Sequence, residues 1–192
     1  MDKHAPVAHS AKGSANPAPL GLLGFGMTTI LLNIHNAGFF PLSAMILGMG
    51  IFYGGLAQII AGICEYKEGN TFGFTAFTSY GAFWLTLVFL IVAPKWGITD
   101  ATGEGFMAWY LFLWGLFTFF MYLGTAKKGP VLRFVFASLT ILFGLLAARD
   151  WTGSALIGTI AGWEGILCGG SAFYLGCAEM LKEAQGKKIL PF

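Results

Sequence analysis

The residues able to do chemistry in this chain are few, and most are poorly placed for catalysis. Of three histidines, His4 and His9 sit in a polar N-terminal stretch, and only His35 stands beside an apolar run, next to Asn33 and Asn36. The three cysteines, Cys64, Cys168 and Cys177, form no Cys-x-x-Cys pair and lie in or at the ends of apolar runs, as small core residues do. No metal cluster, catalytic triad or phosphate loop can be assembled from this inventory, so no metal, no cofactor and no enzymatic reaction is expected. One acid, Glu164, falls inside an apolar run, and an acid there suits proton coupling or gating. Uncharged polar residues also fall in apolar runs, among them Thr28, Thr29, Asn33, Gln58, Thr75, Thr78 and Ser79. Their hydroxyls and amides either tie helices together or replace part of the water around a carboxylate.

The elements that must position these groups follow from composition and charge spacing. The chain has 192 residues, of which 56% are apolar and only 10% charged, with a mean hydropathy of +0.72. An ordinary soluble domain carries about 25% charged residues, so this chain cannot cover a water-facing surface. A net charge of +2 supplies no basic stripe for nucleic acid. The class left is an all-α integral membrane protein surrounded by lipid.

A charge at the bilayer centre costs about 2.5–3.5 kcal/mol even on lenient scales, so gaps between charges mark spans of about 20 residues. Six are expected: Pro17–Asn36, Leu42–Cys64, Phe72–Ala93, Phe106–Gly124, Val131–Ala148 and Ala155–Met180. Residues 1–15 form an expected N-terminal tail, 16–181 the six-helix domain and 182–192 a C-terminal tail. Six spans put both termini on one side. With the termini cytoplasmic, nine of the eleven Lys and Arg lie inside, leaving Lys95 and Arg149 outside, which is the orientation the positive-inside rule favours. The first three and last three spans then run in opposite senses, as in inverted three-helix halves around a pore. The 28 glycines, about twice the usual frequency, recur at four-residue spacing in the second and sixth spans, where they predict close helix packing.

The first span starts Asn16-Pro17-Ala18-Pro19-Leu20-Gly21, where Asn16 can cap the helix and prolines in the first turn cost no hydrogen bond. Further on come Gly24-Phe25-Gly26-Met27-Thr28-Thr29, Gly50-Ile51-Phe52-Tyr53-Gly54-Gly55, Glu65-Tyr66-Lys67 with Gly69-Asn70-Thr71, and Ala161-Gly162-Trp163. Together these resemble the acetate uptake transporter family, the succinate-acetate permease group. The resemblance implies a six-helix protomer with its own pore, a homohexamer in the cytoplasmic membrane, and transport of acetate or succinate that is proton-linked or channel-like. It implies an apolar constriction of Phe25, Tyr80 and Leu139, with Ala172 bearing on substrate size and Asn16, Pro17, Pro19 and Gly21 as the signature. Thr28, Asn33, Gln58, Thr78 and Ser79 would then flank the path. Glu164 departs from relatives that are apolar there.

On this reading a narrow ring with one hydroxyl strips water from a two-carbon acid while Tyr80 offers it a hydrogen bond. No Lys or Arg is expected at mid-membrane depth, so the pore should bind its anion weakly. Two other readings stand beside it. One is a pore for neutral solutes such as urea or protonated weak acids; the other is a membrane sensor without flux.

Overall fold

The computed structural model describes residues 15–103 and 105–192, so the expected N-terminal tail lies, up to residue 14, outside the described residues. Among those described, six helices are long and apolar enough to cross a membrane: α1 (Ala18–Asn36), α2 (Ala44–Lys67), α3 (Thr71–Val92), α4 (Phe106–Leu123), α5 (Pro130–Thr152) and α6 (Ala155–Gln185). Every expected span is present, with ends displaced by a few residues. The largest displacement is at α6, which continues to Gln185 and makes the first part of the expected C-terminal tail helical. At 1.5 Å per residue α6 is about 46 Å long, against a hydrocarbon core of about 30 Å. It therefore projects beyond the bundle on the face that carries both described chain ends, here called the terminal face.

Local chemistry fixes several boundaries. Asn16 Oδ1 accepts from the Ala18 amide at 3.0 Å, which satisfies one of the free donors at the start of α1. Asn70 caps α3, accepting from Gly73 N at 3.1 Å. Between α5 and α6 the chain turns through Gly153, at φ 66°, a conformation that suits a residue without Cβ. One feature had no sequence expectation: α2 is interrupted by a π-helical turn over Phe52–Ala57.

Around the bundle the neighbours run α3, α2, α1, α6, α5, α4. The α1–α6 seam is built on glycine. A Cβ on Gly26 would lie 2.6 Å from Phe173 N, and one on Gly169 2.8 Å from Gly26 O, so backbone meets backbone there. Gly162 abuts Ala37, and Gly165 abuts the Asn33 side chain. The α3–α4 seam is filled by aromatic rings instead. Phe83 stacks on Tyr110 at 5.7 Å and meets Trp114 edge-on at 5.3 Å, and Tyr80 meets Phe117 at 5.6 Å. Between the two seams α1, α3 and α5 face one another.

Candidate functional site

The three inward-facing helices all start at the terminal face, so equal distances along them reach equal depths. Phe25 lies seven residues past the start of α1, Tyr80 and Leu139 nine past the starts of α3 and α5. That is about 10–14 Å, close to the middle of a 30 Å core. Their side chains share a wall of one cavity of 170 Å³, lined nearer the terminal face by Glu65, Asn70, Lys128 and Glu179. A single water needs about 10–15 Å³ of such space, so the cavity has room for several waters or for a small carboxylate. All three residues at its deep end are almost fully buried. The Phe25 and Tyr80 rings stand 5.9 Å apart, tilted by 51°.

The Tyr80 hydroxyl is already engaged. It donates to Thr118 Oγ1 at 2.9 Å, and Thr118 donates in turn to the Trp114 carbonyl at 2.7 Å. The hydroxyl proton expected to serve the substrate is thus engaged by the aromatic seam in this structure, a hydroxyl having only one. Its lone pairs remain, and they can only accept.

The other sequence-derived candidates divide. Gln58 lines the cavity, 1% exposed, with its Oε1 unpartnered. Thr28 is buried with its hydroxyl unpartnered, as is the Trp84 indole N–H. Both pack on the π-helical turn, where a Cβ on Gly54 would lie 2.8 Å from Thr28 Cγ2 and 2.9 Å from Trp84 Cγ. Asn33 lies off the cavity wall in the α1–α6 seam, its Nδ2 donating to Thr29 O at 2.9 Å and its Oδ1 accepting from Asn36 at 3.0 Å. Thr78 abuts Gly62 of α2. Ser79 lines a separate surface groove with Tyr110, Leu113, Trp114 and Phe117. Ala172 is fully buried in the same core as the ring, without reaching the cavity.

Glu164 lies nine residues into α6 from the opposite face, again about 14 Å, which puts it level with the ring. Ser138, the neighbour of Leu139, donates to its Oε1 at 2.5 Å, while Oε2 is buried without a partner. The signature residues gather at the mouth. Pro17 precedes the first turn, Pro19 is buried, and the Phe77 ring occupies the space a Cβ on Gly21 would need. Asn16 Nδ2 donates to Glu179 at 3.4 Å, joining the start of α1 to the end of α6.

The residues missed as site residues are Glu65, Asn70, Lys128 and Glu179. Glu65 is only 3% exposed, although its place at the end of an apolar run reads as a solvated helix end. Its Oε2 accepts from Asn70 Nδ2 at 2.7 Å. The available signal was the Glu65-Tyr66-Lys67 motif followed by Gly69-Asn70, which had no assigned role.

A cavity closed at mid-depth by an uncharged ring, inside a six-span bundle, defines the class as a multi-pass membrane protein built around a path for a small solute. The chain belongs to the GPR1/FUN34/yaaH family, which it matches over residues 3–190. It is 62% identical over 177 residues to the succinate-acetate/proton symporter SatP of Escherichia coli strain K12, covering 92% of this chain and 94% of that one. A more distant relative, the ammonia transport outward protein 2 of Saccharomyces cerevisiae, is 38% identical over 83% of this chain and 59% of its own. The solved structure of the bacterial acetate channel SatP superposes with a TM-score of 0.92 at 60% identity, covering 94% of this chain and 99% of that one. The family resemblance carried by the sequence motifs is thereby borne out.

Proposed function

We propose that this protein is a permease, not an enzyme, that moves acetate and other small carboxylates such as succinate across the cytoplasmic membrane with a proton linked to the movement. The observation that carries the reading is the convergence of Phe25, Tyr80 and Leu139 at the deep end of a cavity that starts among polar side chains. Such a ring strips water from whatever passes, and a short apolar tail costs least there. With no cation at the ring, the site would bind its anion weakly and release it readily. Gln58 lines the cavity with an unpartnered oxygen that can accept from a protonated carboxyl group, and the buried Thr28 hydroxyl and Trp84 N–H pack on the π-helical turn that precedes it. Thr78, Ser79, Asn33 and Ala172 would act through packing around that path.

In this reading the terminal face is cytoplasmic, since Lys67, Lys127, Lys128, Lys182, Lys187 and Lys188 cluster there. The protomers associate as a homohexamer through apolar faces such as Phe52, Leu56 and Ile60 of α2 and Leu156, Ile160 and Trp163 of α6, all exposed in the single chain. Native mass spectrometry tests the subunit number. Glu164, tied through Ser138 to the residue beside Leu139, is the proposed gating group. Glu164→Gln should alter the pH profile of acetate uptake, and an unaltered profile removes it from the mechanism.

The deciding experiment is labelled acetate uptake into vesicles with and without an imposed pH gradient at clamped membrane potential. Uptake that follows the gradient supports the proton link. The uncharged ring also favours a second reading, a pore for neutral solutes such as urea or protonated weak acids; competition by unlabelled urea against labelled acetate would favour it.

A further inference from the structure

The mouth of the cavity differs in chemistry from the ring. Glu65 near the end of α2 and Glu179 near the end of α6 line one 170 Å³ space, together with Lys128 from the α4–α5 connection. They come from three separate parts of the chain. Glu65 is held by the Asn70 amide and Glu179 by the Asn16 amide. The charged groups facing Glu65 are Glu68, Lys128 and Glu179; those facing Glu179 are Glu65, Lys182 and Glu183. Lys128 itself lies over the Phe72 ring, 4.6 Å from its centroid. A further polar group, Gln58, is 1% exposed and lines the same space with its Oε1 unpartnered. The cavity therefore holds an unused hydrogen-bonding site beside its carboxyl pair.

A substrate anion in this space makes a third carboxylate against one ammonium. Like charges sharing one small cavity repel where water is scarce, so a proton entering the group favours the anion's entry. We propose that Glu65 and Glu179 are the proton-exchange pair of the permease, handing one proton between a glutamic acid and the substrate carboxylate in the vestibule. Outward from the terminal face, the O–H bond of one glutamic acid breaks as an O–H bond forms on the substrate. The glutamate left behind, Glu65 held by Asn70 and facing Lys128 or Glu179 held by Asn16 and facing Lys182, keeps its charge until water on the terminal face returns a proton. In the opposite direction the neutral acid arrives through the ring, gives its proton to a glutamate and leaves as the anion. The ring then passes a neutral molecule, which explains why it needs no charge of its own.

The inference rests on the carboxylate-permease reading, and the test separates the two. Full-length protein in liposomes is given labelled acetate while a trapped dye reports internal pH, with protein-free vesicles subtracted. Wild-type protein should bring in a proton with each acetate. Glu65→Gln with Glu179→Gln, which preserves shape and removes the exchangeable proton, should lower labelled acetate uptake at neutral pH by about tenfold, while each acetate that still crosses carries its proton. Glu65→Asp and Glu179→Asp, shorter but acidic, should restore uptake better than Gln does, whereas a merely structural role would favour the isosteric Gln. Glu183→Gln, exposed and off the cavity wall, should keep wild-type uptake. A double Gln variant with wild-type uptake, or Asp variants no better than Gln, would overturn the pair. Wild-type vesicles that pass no acetate beyond the protein-free control would instead overturn the permease reading itself.

Discussion

The two seams that close the bundle solve the same problem with opposite materials. Along α1–α6, Gly26, Gly162 and Gly169 remove side chains so that backbones touch, and Gly165 makes room for the Asn33 side chain. Along α3–α4, Phe83, Tyr110, Trp114 and Phe117 keep the backbones apart and fill the gap with rings. Where lipid surrounds a bundle, packing rather than hydrophobic expulsion holds helices together, and both seams maximise it. The difference decides what remains in the middle. A tight seam on one side and a wide one on the other leave α1, α3 and α5 facing across a gap that Phe25, Tyr80 and Leu139 close only at mid-depth.

The contrast can be broken from either side. Phe83→Ala removes a ring that touches Trp84, Tyr110, Trp114 and Phe143, and a loss of about 3–5 kcal/mol is expected, read as a lower unfolding midpoint in detergent. Gly162→Leu forces a side chain into the Ala37 backbone. It should cost about 3 kcal/mol, with a larger loss on α1–α6 cross-linking than Phe83→Ala produces. Leu139→Ala leaves both seams intact and widens the ring. The lactate-to-acetate flux ratio should then rise by about tenfold; an unchanged ratio in vesicles would take Leu139 out of the constriction. The smallest effect belongs to Tyr80→Phe. It deletes one hydrogen bond to Thr118, worth about 1 kcal/mol, and leaves acetate flux near wild type because that hydroxyl serves the seam. A tenfold fall in flux would instead assign the hydroxyl to the substrate.

Much of this was legible in the sequence for a simple reason. Lipid penalises charge so heavily that the gaps between charged residues trace the spans, and the helix limits observed at Asn36, Val92 and Leu123 fall at or within one residue of the expected ones. Phe25, Tyr80 and Leu139, which line one cavity, were singled out by motif resemblance and not by residue type, since a Phe, a Tyr and a Leu on apolar helices carry no functional mark of their own. Asn33 and Ser79 were indistinguishable from Gln58 by the same standard. Each is a polar residue in an apolar span, and only the side of the helix it occupies separates a seam contact from a cavity wall. Glu65 looked like a solvated helix end because spacing reports depth along a helix and not which face is covered.

By itself, the amino-acid order determined the solvent, the number of spans, their alternating sense and the family, because each depends on local composition or on contiguous motifs. Only the tertiary structure decided the rest. It directed the Tyr80 proton to Thr118 and set Glu164 beside the ring through Ser138. It also brought Glu65, Lys128 and Glu179 to one vestibule. These depend on which helix faces which, a relation among residues as far apart as 65 and 179 that no local pattern encodes.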